Sequence, residues 1–515
     1  MKKLFGLSIV LALLAVSCTP ENNTENQEVA APALVSTSPE DGVRDITGST
    51  FTVVFTFDQN IKCLSAAQQG VTVNLGATVD KVNAYNTELT VQISGLSRGN
   101  TYTVILPEGT VQGYKSNQKG SAAISYHFST KDPDPGPGTP GTDTEGWENA
   151  LACAINMGVG WNLGNTLEAN SGDVDNMWIE AFPKYGVPKD YETAWGQPQA
   201  TRELIHMFKE AGFGAIRVPV TWYPHMGTIT VTVSNNKGHW DVSTWTGYDV
   251  DPVWMARVEE VVNYVLDEGM YCILNVHHDT GSASTAWLRA DKTVFNNVNE
   301  RYSSLWTQIA TRFKDYGQKL VFESFNEMLD AKSTWNSSSS ESMEVINMYN
   351  ALFVETVRAT GGNNARRNLI LNTYAAAPTA ESLSAFRLPE DTVESHLLAE
   401  VHSYSPYNFA FDTANPKTVF DESCDREVRG IVQTMNTYLV SQGIPCILGE
   451  YGADTSKREE TELAKQAACY VSEATKYHIP CFYWMALSDG QDRAVPKWTK
   501  PTLKDAIIKA YNDNK

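Results

Sequence analysis

Two hydrophobic periodicities divide the chain. Between about Leu34 and Thr130, apolar and polar residues alternate in short runs (FTVVFTFD, VTVNL, ELTVQIS, TYTVILP, AAISYHF) separated by Gly, Asn and Asp turns. Alternation of period two buries one face of a strand, so this region predicts a small β-sandwich of about a hundred residues. Beyond Trp147 the pattern changes to continuous apolar runs set between helical segments. In order the runs are MGVGWNLGN, GAIRVPVTW, YCILNVHHD, KLVFESFNE, NLILNTY, LAEVHSYSP, PCILGEYGA and PCFYWMAL. Among the helical segments, ATRELIHMFKEAGF carries Leu204, Ile205, Met207 and Phe208 on one face, and DPVWMARVEEVVNYVLDEGM carries Val258, Val261, Val262 and Val265. Each stops at a glycine, as a helix C-cap prefers. Strands alternating with helices predict parallel βα units, and eight of them close a (β/α)8 TIM barrel. The competing architecture, an open doubly wound sheet, calls for a phosphate-binding glycine loop after its first strand, and GWNLGNTLE does not match it. Between the two regions, Lys131 to Gly146 (KDPDPGPGTPGTDTEG) has no apolar residue to bury and predicts an extended Pro/Gly-rich linker. The expected division is a sandwich at 34–130, a linker at 131–146 and a barrel at 147–515.

The N-terminus bears on the compartment. Lys2 and Lys3 precede an apolar stretch from Leu4 to Val16 that is too short to span a bilayer as a mature anchor, which predicts an export signal over 1–18. It ends in AVSC, which resembles a bacterial lipobox, so Cys18 is the expected lipidation site and the polar segment 19–33 a flexible tether. The expectation is an exported lipoprotein of a Gram-negative bacterium, held to the outer membrane at the cell surface by acyl chains. The other seven cysteines form neither a disulfide framework nor a zinc spacing; Cys272, Cys446 and Cys481 sit in apolar runs and read as small buried hydrophobes. A formal net charge of -20 argues against nucleic acid as a partner. Thirteen Trp and twenty-two Tyr supply flat faces that suit sugar rings as well as cores.

The barrel expectation gathers the chemistry. The apolar runs close on polar or aromatic residues: Asn162 and Asn165, Arg217 and Trp222, His277 and His278, Asn326 and Glu327, His402 and Tyr404, Glu450, and Trp484. In a barrel the C-terminal strand ends converge on one mouth, where the active site lies. Two glutamates closing the fourth and seventh runs suit glycosidic bond cleavage, with Glu327 as acid/base and Glu450 as nucleophile. Glu323 lies four residues before Glu327, roughly 13 Å down the strand at about 3.3 Å per residue, and reads as an interior residue paired with a cation such as Arg217. Glu400, two residues beneath His402, reads likewise as structural. Arg217 beside Glu450 is expected to keep the nucleophile ionised, Tyr404 to donate to it, and Asn326 to meet a sugar 2-hydroxyl. His277, His278 and His402 are expected to hold hydroxyls or tune Glu327, and Trp484 to stack under a sugar. A zinc site built on HHD with His402 is the rival reading, and it leaves the paired glutamates unexplained.

From Trp147 to the C-terminus the chain resembles glycoside hydrolase family 5, and within it subfamily 4. The motifs are GWNLGNTLEA, ETAWGQPQATRELI, AIRVPVTW, ILNVHHD, FESFNE, VHSYSP and GEYGA, in the family's order. The resemblance implies a retaining endo-β-1,4-glucanase with no cofactor or metal, acting on plant cell-wall β-glucan (xyloglucan, mixed-linkage β-glucan or soluble cellulose). It marks Glu327 and Glu450 as catalytic and matches Arg217, His277, His278, Asn326, His402, Tyr404 and Trp484 to the family's site residues; these, with the strand-end Asn162, are the expected substrate-binding residues. Met328 stands where many relatives have proline and Gln197 where asparagine is common. The segment opening TSPEDGVRDITGSTFTVVFTFDQNI is similar to bacterial Ig-like domains, as a spacer or a carbohydrate-binding module. The catalytic unit is expected to be monomeric. The rival functions are a surface glycan-binding protein without catalysis, and a β-mannanase or xylanase on the same barrel.

Overall fold

The computed structural model describes residues 30–46, 48–97, 99–114, 120–130, 140–169, 187–234, 237–335, 339–484 and 491–515. Cys18, the rest of the expected export signal and most of the tether and linker lie outside these residues. The chain divides into two compact units, 1–134 and 135–515.

The first unit is a β-sandwich. One sheet orders the strands Leu34–Ser38, Thr50–Phe57, Glu88–Ser94 and Thr78–Tyr85; the other orders Val43–Ile46, Ile124–Thr130, Thr101–Leu106 and Thr72–Val73. Alternation does the sorting: Phe51, Val53, Phe55 and Phe57 are buried against Val91, Tyr102, Val104 and Phe128, while Thr50 and Thr52 face out.

In the second unit eight parallel strands close on themselves: β1 Val159–Asn162, β2 Ala215–Val218, β3 Tyr271–Leu274, β4 Leu320–Glu323, β5 Leu369–Asn372, β6 Leu397–Ser403, β7 Cys446–Tyr451 and β8 Cys481–Trp484. These are the eight runs read from the sequence, and β8 pairs with β1 to complete the barrel. Helices separate them. Arg202–Ala211 starts where the Thr201 side chain accepts from the Leu204 N–H, buries Leu204, Ile205 and Phe208, and stops at Gly212 in the left-handed region. Outward-facing strand residues such as Ile216, Cys272, Phe322, Leu371, Val401 and Leu448 join the helices in one core. Cys446 and Cys481 are buried in the same core, and no described cysteine forms a disulfide.

Strand residues that point inward form two layers. The lower layer is Ala215, Ile273, Val321, Ile370, Leu398, Ile447 and Phe482, closed from below by Ala150, Cys153, Ala154 and Met157 of the helix Ala150–Met157. Gly160 leaves this space open, because a Cβ there would overlap the Phe482 ring. Two residues further along each strand the interior turns polar: Asn162, Arg217, Asn275, Glu323, Asn372 and Glu400, all fully buried.

One element has no counterpart in the eight-unit reading. Met226–Ser234 and Lys237–Val250 pair as an antiparallel hairpin in the connection after β2. Its Trp245 is fixed by an indole N–H to the Met226 carbonyl, 2.6 Å, by the edge of Trp287, and by the Arg301 guanidinium 4.2 Å above its ring. Among the described residues no helix is long and apolar enough to cross a membrane.

Candidate active site

Arg217 organises the polar layer from β2. Its Nε and Nη2 donate to the two oxygens of Glu323 on β4 at 2.6 and 2.7 Å, the bidentate fork that a guanidinium and a carboxylate make best. Nη1 donates to Glu450 Oε1 at 2.8 Å and to Asn162 Oδ1 at 3.0 Å, and Nη2 also to Asn326 Oδ1 at 3.0 Å. All five donors are spent on protein. An ion buried without such partners costs several kcal/mol, roughly, even after relaxation, so this geometry is what makes a fully buried arginine tolerable.

Above this layer the two expected catalytic carboxylates face each other. One oxygen of Glu327, one of Glu450 and a ring nitrogen of His402 all lie within 4.8 Å of one another. Glu450, on β7, takes the Arg217 N–H on one oxygen and the Tyr404 hydroxyl on the other, 2.7 Å. Glu327, in the loop leaving β4, is the more open of the two, with 21 % of its side chain exposed against 6 % for Glu450. His402 stands between them: Nδ1 lies 2.9 Å from Glu327 and 3.6 Å from Glu450, and Nε2 lies 3.1 Å from Glu400. Burial works against a charge on this ring, but Glu450, Glu327 and Glu400 outweigh it and hold the imidazolium up to a pKa of about 10. Burial also raises Glu450 above the ordinary carboxylate value, opposed by His402, Arg217 and the Tyr404 hydroxyl.

Two residues expected to touch substrate do not reach the cleft. Asn162 is fully buried, its amide donating to the carbonyls of Gly449, Phe482 and Tyr483, so it ties β1 to β7 and β8. Arg217 is likewise fully buried and acts on the site only through Glu450 and Asn326. The remaining expected residues gather at the mouth. Asn326 gives its oxygen to Arg217, which turns the amide N–H outward. His277 takes the Asn275 amide on Nδ1, 3.1 Å, and stacks on the Trp484 ring at 5.7 Å and 6°. Burial, then the charges of His278, Arg217 and His402, push its pKa well down and keep it neutral. His278 packs on Trp195 and lines a cavity of about 590 Å³ together with Gly281, Asn326, Glu327 and Trp335.

The HHD motif does not assemble as a metal site. Asp279 accepts the backbone N–H groups of Trp222 and Tyr223 and the Trp287 indole, so it braces a loop. Among the described residues the cluster with ligand spacing is instead Glu327, His402 and Glu450. Its histidine has both ring nitrogens aimed at carboxylates, an arrangement of two N–H donors that leaves no lone pair for a metal.

Several contributors escaped the sequence reading. Asn275 donates to Glu323 at 2.9 Å, and Asn372 to Glu400 at 3.2 Å. The signal was present, since β3 and β5 both read ILN and period two puts each Asn on the inner face. Trp335 is 44 % exposed beside Glu327, and Phe411 packs on Tyr404 at 4.5 Å with Tyr407, 68 % exposed, beyond it. These extend the cleft on both sides with aromatic surface, and nothing in their loop sequences distinguishes them from core aromatics.

A closed (β/α)8 barrel with two facing carboxylates at the C-terminal mouth, ringed by aromatics and uncharged hydrogen-bonding groups, defines a glycoside hydrolase. Comparison with known proteins gives the family. Residues 181–490 match the family model of cellulases of glycosyl hydrolase family 5, and residues 28–130 match a bacterial Ig-like domain. The chain is 34 % identical to endoglucanase A of Clostridium longisporum, over 69 % of this chain and 65 % of that protein, and 33 % identical to endoglucanase A of Ruminococcus albus, over 70 % and 92 %. It thus spans a little under two thirds of the first and nearly all of the second. Among solved structures, a family 5 enzyme from Prevotella bryantii B14 in complex with a xyloglucan tetradecasaccharide is 40 % identical, with a TM-score of 0.61, covering 71 % of this chain and 99 % of that one. A broad-specificity GH5-4 endoglucanase from Ruminococcus champanellensis with bound cellotriose is 36 % identical, with a TM-score of 0.60, over 70 % and 98 %. The chain belongs to glycoside hydrolase family 5, its barrel is an endo-β-glucanase domain, and an Ig-like domain precedes it.

Proposed function

We propose that this enzyme hydrolyses β-1,4-linked glucan backbones with retention of configuration, on xyloglucan, mixed-linkage β-glucan or soluble cellulose. The observation that carries the reading is the Glu327–Glu450 pair. One oxygen of each lies within 4.8 Å of one of the other, which favours direct attack on the anomeric carbon over inversion, where carboxyl groups roughly 6.5–9.5 Å apart seat a water between them. Glu450, gripped by Arg217 and Tyr404, is the nucleophile that forms the glycosyl enzyme. Glu327, more open and bonded to His402, protonates the leaving oxygen and then takes a proton from the attacking water. Asn326 offers its amide N–H to the 2-hydroxyl of the sugar under attack, and Trp484 and Trp335 offer faces to sugars beside the scissile bond. The xyloglucan and cellotriose complexes of relatives favour glucan over mannan or xylan.

The test is reducing-end release from xyloglucan, mixed-linkage β-glucan, carboxymethylcellulose, xylan and mannan, with Glu450→Ala as control and proton NMR of the first product anomer. Glucan cleavage giving the β-anomer, lost in the variant, is the expected result. Glycan binding without cleavage leaves the capture protein, and preferential mannan or xylan cleavage leaves the corresponding rival enzyme.

We further infer that residues 1–18 are an export signal and that Cys18 carries lipid, tethering the enzyme to the outer membrane at the cell surface, where its products stay near the cell. The support is the basic, then apolar, then AVSC order at the N-terminus. Labelled palmitate should enter the wild-type chain and not Cys18→Ala; equal labelling of both removes the inference.

A further inference from the structure

Glu400 is the buried acid of the polar layer that Arg217 meets only at its longer ion-pair distance, 3.3 Å, and that makes no hydrogen bond to the nucleophile. It lies on β6 two residues beneath His402 and is fully buried. Its Oε1 faces His402 Nε2 at 3.1 Å and Arg217 Nε at 3.3 Å, and its Oε2 accepts from the Asn372 amide at 3.2 Å. Arg217 is satisfied without it: the Nε hydrogen goes to Glu323 at the shorter 2.6 Å, and the other four donors have closer partners. Glu400 even carries a cost, because its charge opposes that of Glu323 and helps push the Glu323 carboxyl up, after the larger effect of burial. Room is nevertheless kept for it. Gly449, immediately before Glu450, has no Cβ where one would overlap the Glu400 carboxylate. The Glu400 charge supports Arg217 alongside Glu323, but the contact that no other carboxylate duplicates is His402 Nε2.

We propose that Glu400 is a positioning residue for the acid/base: it holds the His402 ring by Nε2 so that the Nδ1–H stays on Glu327 Oε1, which leaves Oε2 to carry the catalytic proton toward the cleft. The proposal rests on the reading of Glu327 as the acid/base. The groups facing His402 are Glu327 from the loop after β4, Glu450 from β7, His277 from the loop after β3, and Glu400 beneath it, with Arg217 from β2 sharing Glu400 and Glu450 with the ring. Only Glu400 meets Nε2. Without its charge the ring loses the acceptor that fixes both its orientation and its second proton, and Glu327, partly open to solvent, loses a fixed donor on one oxygen. Proton transfer to the leaving group then suffers, while attack by Glu450 does not.

The leaving group separates these steps. General acid help is worth roughly 10²–10⁴-fold for a poor leaving group and little for a 2,4-dinitrophenolate, which departs without a proton. Glu400→Gln keeps the shape and removes the charge. On mixed-linkage β-glucan its kcat/KM, which reports glycosylation before Glu327 acts as base on water, should fall at least about tenfold more than on 2,4-dinitrophenyl β-cellobioside. Asn372→Ala, which removes the amide steadying Oε2 together with its bond to the Phe325 carbonyl, should show the same bias at smaller size. Nitrogen-15 NMR of the histidines, with His402→Gln assigning the signal, should find both ring nitrogens protonated at pH 8 in the wild type and the His402 titration lower by a unit or more in Glu400→Gln. Losses that differ by less than tenfold between the substrates, or an unmoved His402 titration, overturn the proposal. Glu327→Ala serves as the reference: if its kcat/KM on the activated substrate is not spared relative to the glucan, the acid/base reading itself falls, whatever Glu400 does.

Discussion

The two inner layers of the barrel use the same eight strands and the same period of two, yet they are held by different physics. The lower layer, from Ala215 round to Phe482, packs by shape and pays no desolvation penalty. Two residues up, Glu323, Glu400 and Arg217 are buried to the last atom, with Glu450 and His402 nearly so. Replacing such ion networks with apolar residues of similar volume is often neutral or stabilising, so the upper layer does not exist for stability. What it provides is a fixed platform: Glu323 aims Arg217, Arg217 aims Glu450 and Asn326, and Glu400 aims His402. Catalysis is built on the layer that costs free energy, and the fold is secured by the layer beneath it.

The largest expected effect separates the two roles at once. Glu450→Ala should lower kcat by about 10⁴-fold or more, as loss of a nucleophile does elsewhere, while urea unfolding shows a loss below about 2 kcal/mol, because Arg217 keeps its fork to Glu323 and the site sheds a carboxylate that burial holds at a cost. A variant as unstable as it is inactive would mean the upper layer holds the fold together after all. Arg217→Lys comes next. A lysine is a point charge with three donors and cannot reproduce the fork to Glu323 together with the bonds to Glu450, Asn162 and Asn326. It leaves carboxylates buried and unpaired, and the expected loss is about 3–5 kcal/mol in urea unfolding, along with most of the activity. A loss below about 1 kcal/mol breaks the comparison, because the guanidinium would then be dispensable to its neighbours.

The lower layer and the strand order were legible because a parallel barrel strand is apolar on both faces and ends abruptly at the mouth. Glu327 and Glu450 stood out as acids closing such runs, and period two put Glu323 on the inner face within reach of Arg217, where the fork is found. Depth was harder to read. Asn162 and Arg217 sit at strand ends like the mouth residues, but a sequence gives the face of a side chain and not which partners consume it. Asn162 is spent on three carbonyls from strands about three hundred positions away in the chain. The hairpin Met226–Val250 was missed for another reason: its alternation in TITVTVS was readable, but an insertion that pairs only with itself adds nothing to a count of βα units. Trp335 and Tyr407 owe their exposure to loop paths that no local pattern encodes.

The lower layer has its own test. Ile370→Ala removes a side chain that is fully buried in the apolar cluster, and the cavity should cost about 2–5 kcal/mol. The polar layer above keeps its own hydrogen bonds, so kcat/KM on the preferred glucan should stay within about threefold of wild type at a temperature where both are folded. A tenfold or greater loss of activity would show that the platform depends on shape from below as well as on charge.

The smallest effect is the most discriminating, because pH acts on one layer and not on the other. Burial raises the Glu450 and Glu323 carboxyls, pushes Asp279 up to about 6 and, outside the barrel interior, pushes Glu168 up to about 7. A raised carboxyl keeps its proton in the folded state at a pH where the unfolded chain has released it, so stability falls as pH climbs from about 4 to 7. His402 acts at higher pH: its contribution is whole below about 6.5, the ordinary value, and is lost as pH rises through about 10. Both slopes run downhill toward alkali. On the acid side, exposed carboxylates such as Asp421, held well below the usual range by Ser423 and then Lys417, lose their partners' support as they protonate. The Tm should therefore peak in mild acid, below about pH 6, and decline to pH 9. His402→Gln should flatten the decline above pH 7, whereas Ile370→Ala should lower the Tm by the same amount at every pH, since the titrating groups in its layer, the Cys153 thiol and the Tyr271 phenol, are kept protonated by burial and by Glu148. A flat profile between pH 5 and 9, or an Ile370→Ala penalty that changes across it, would erase the distinction between a layer held by charge and a layer held by packing.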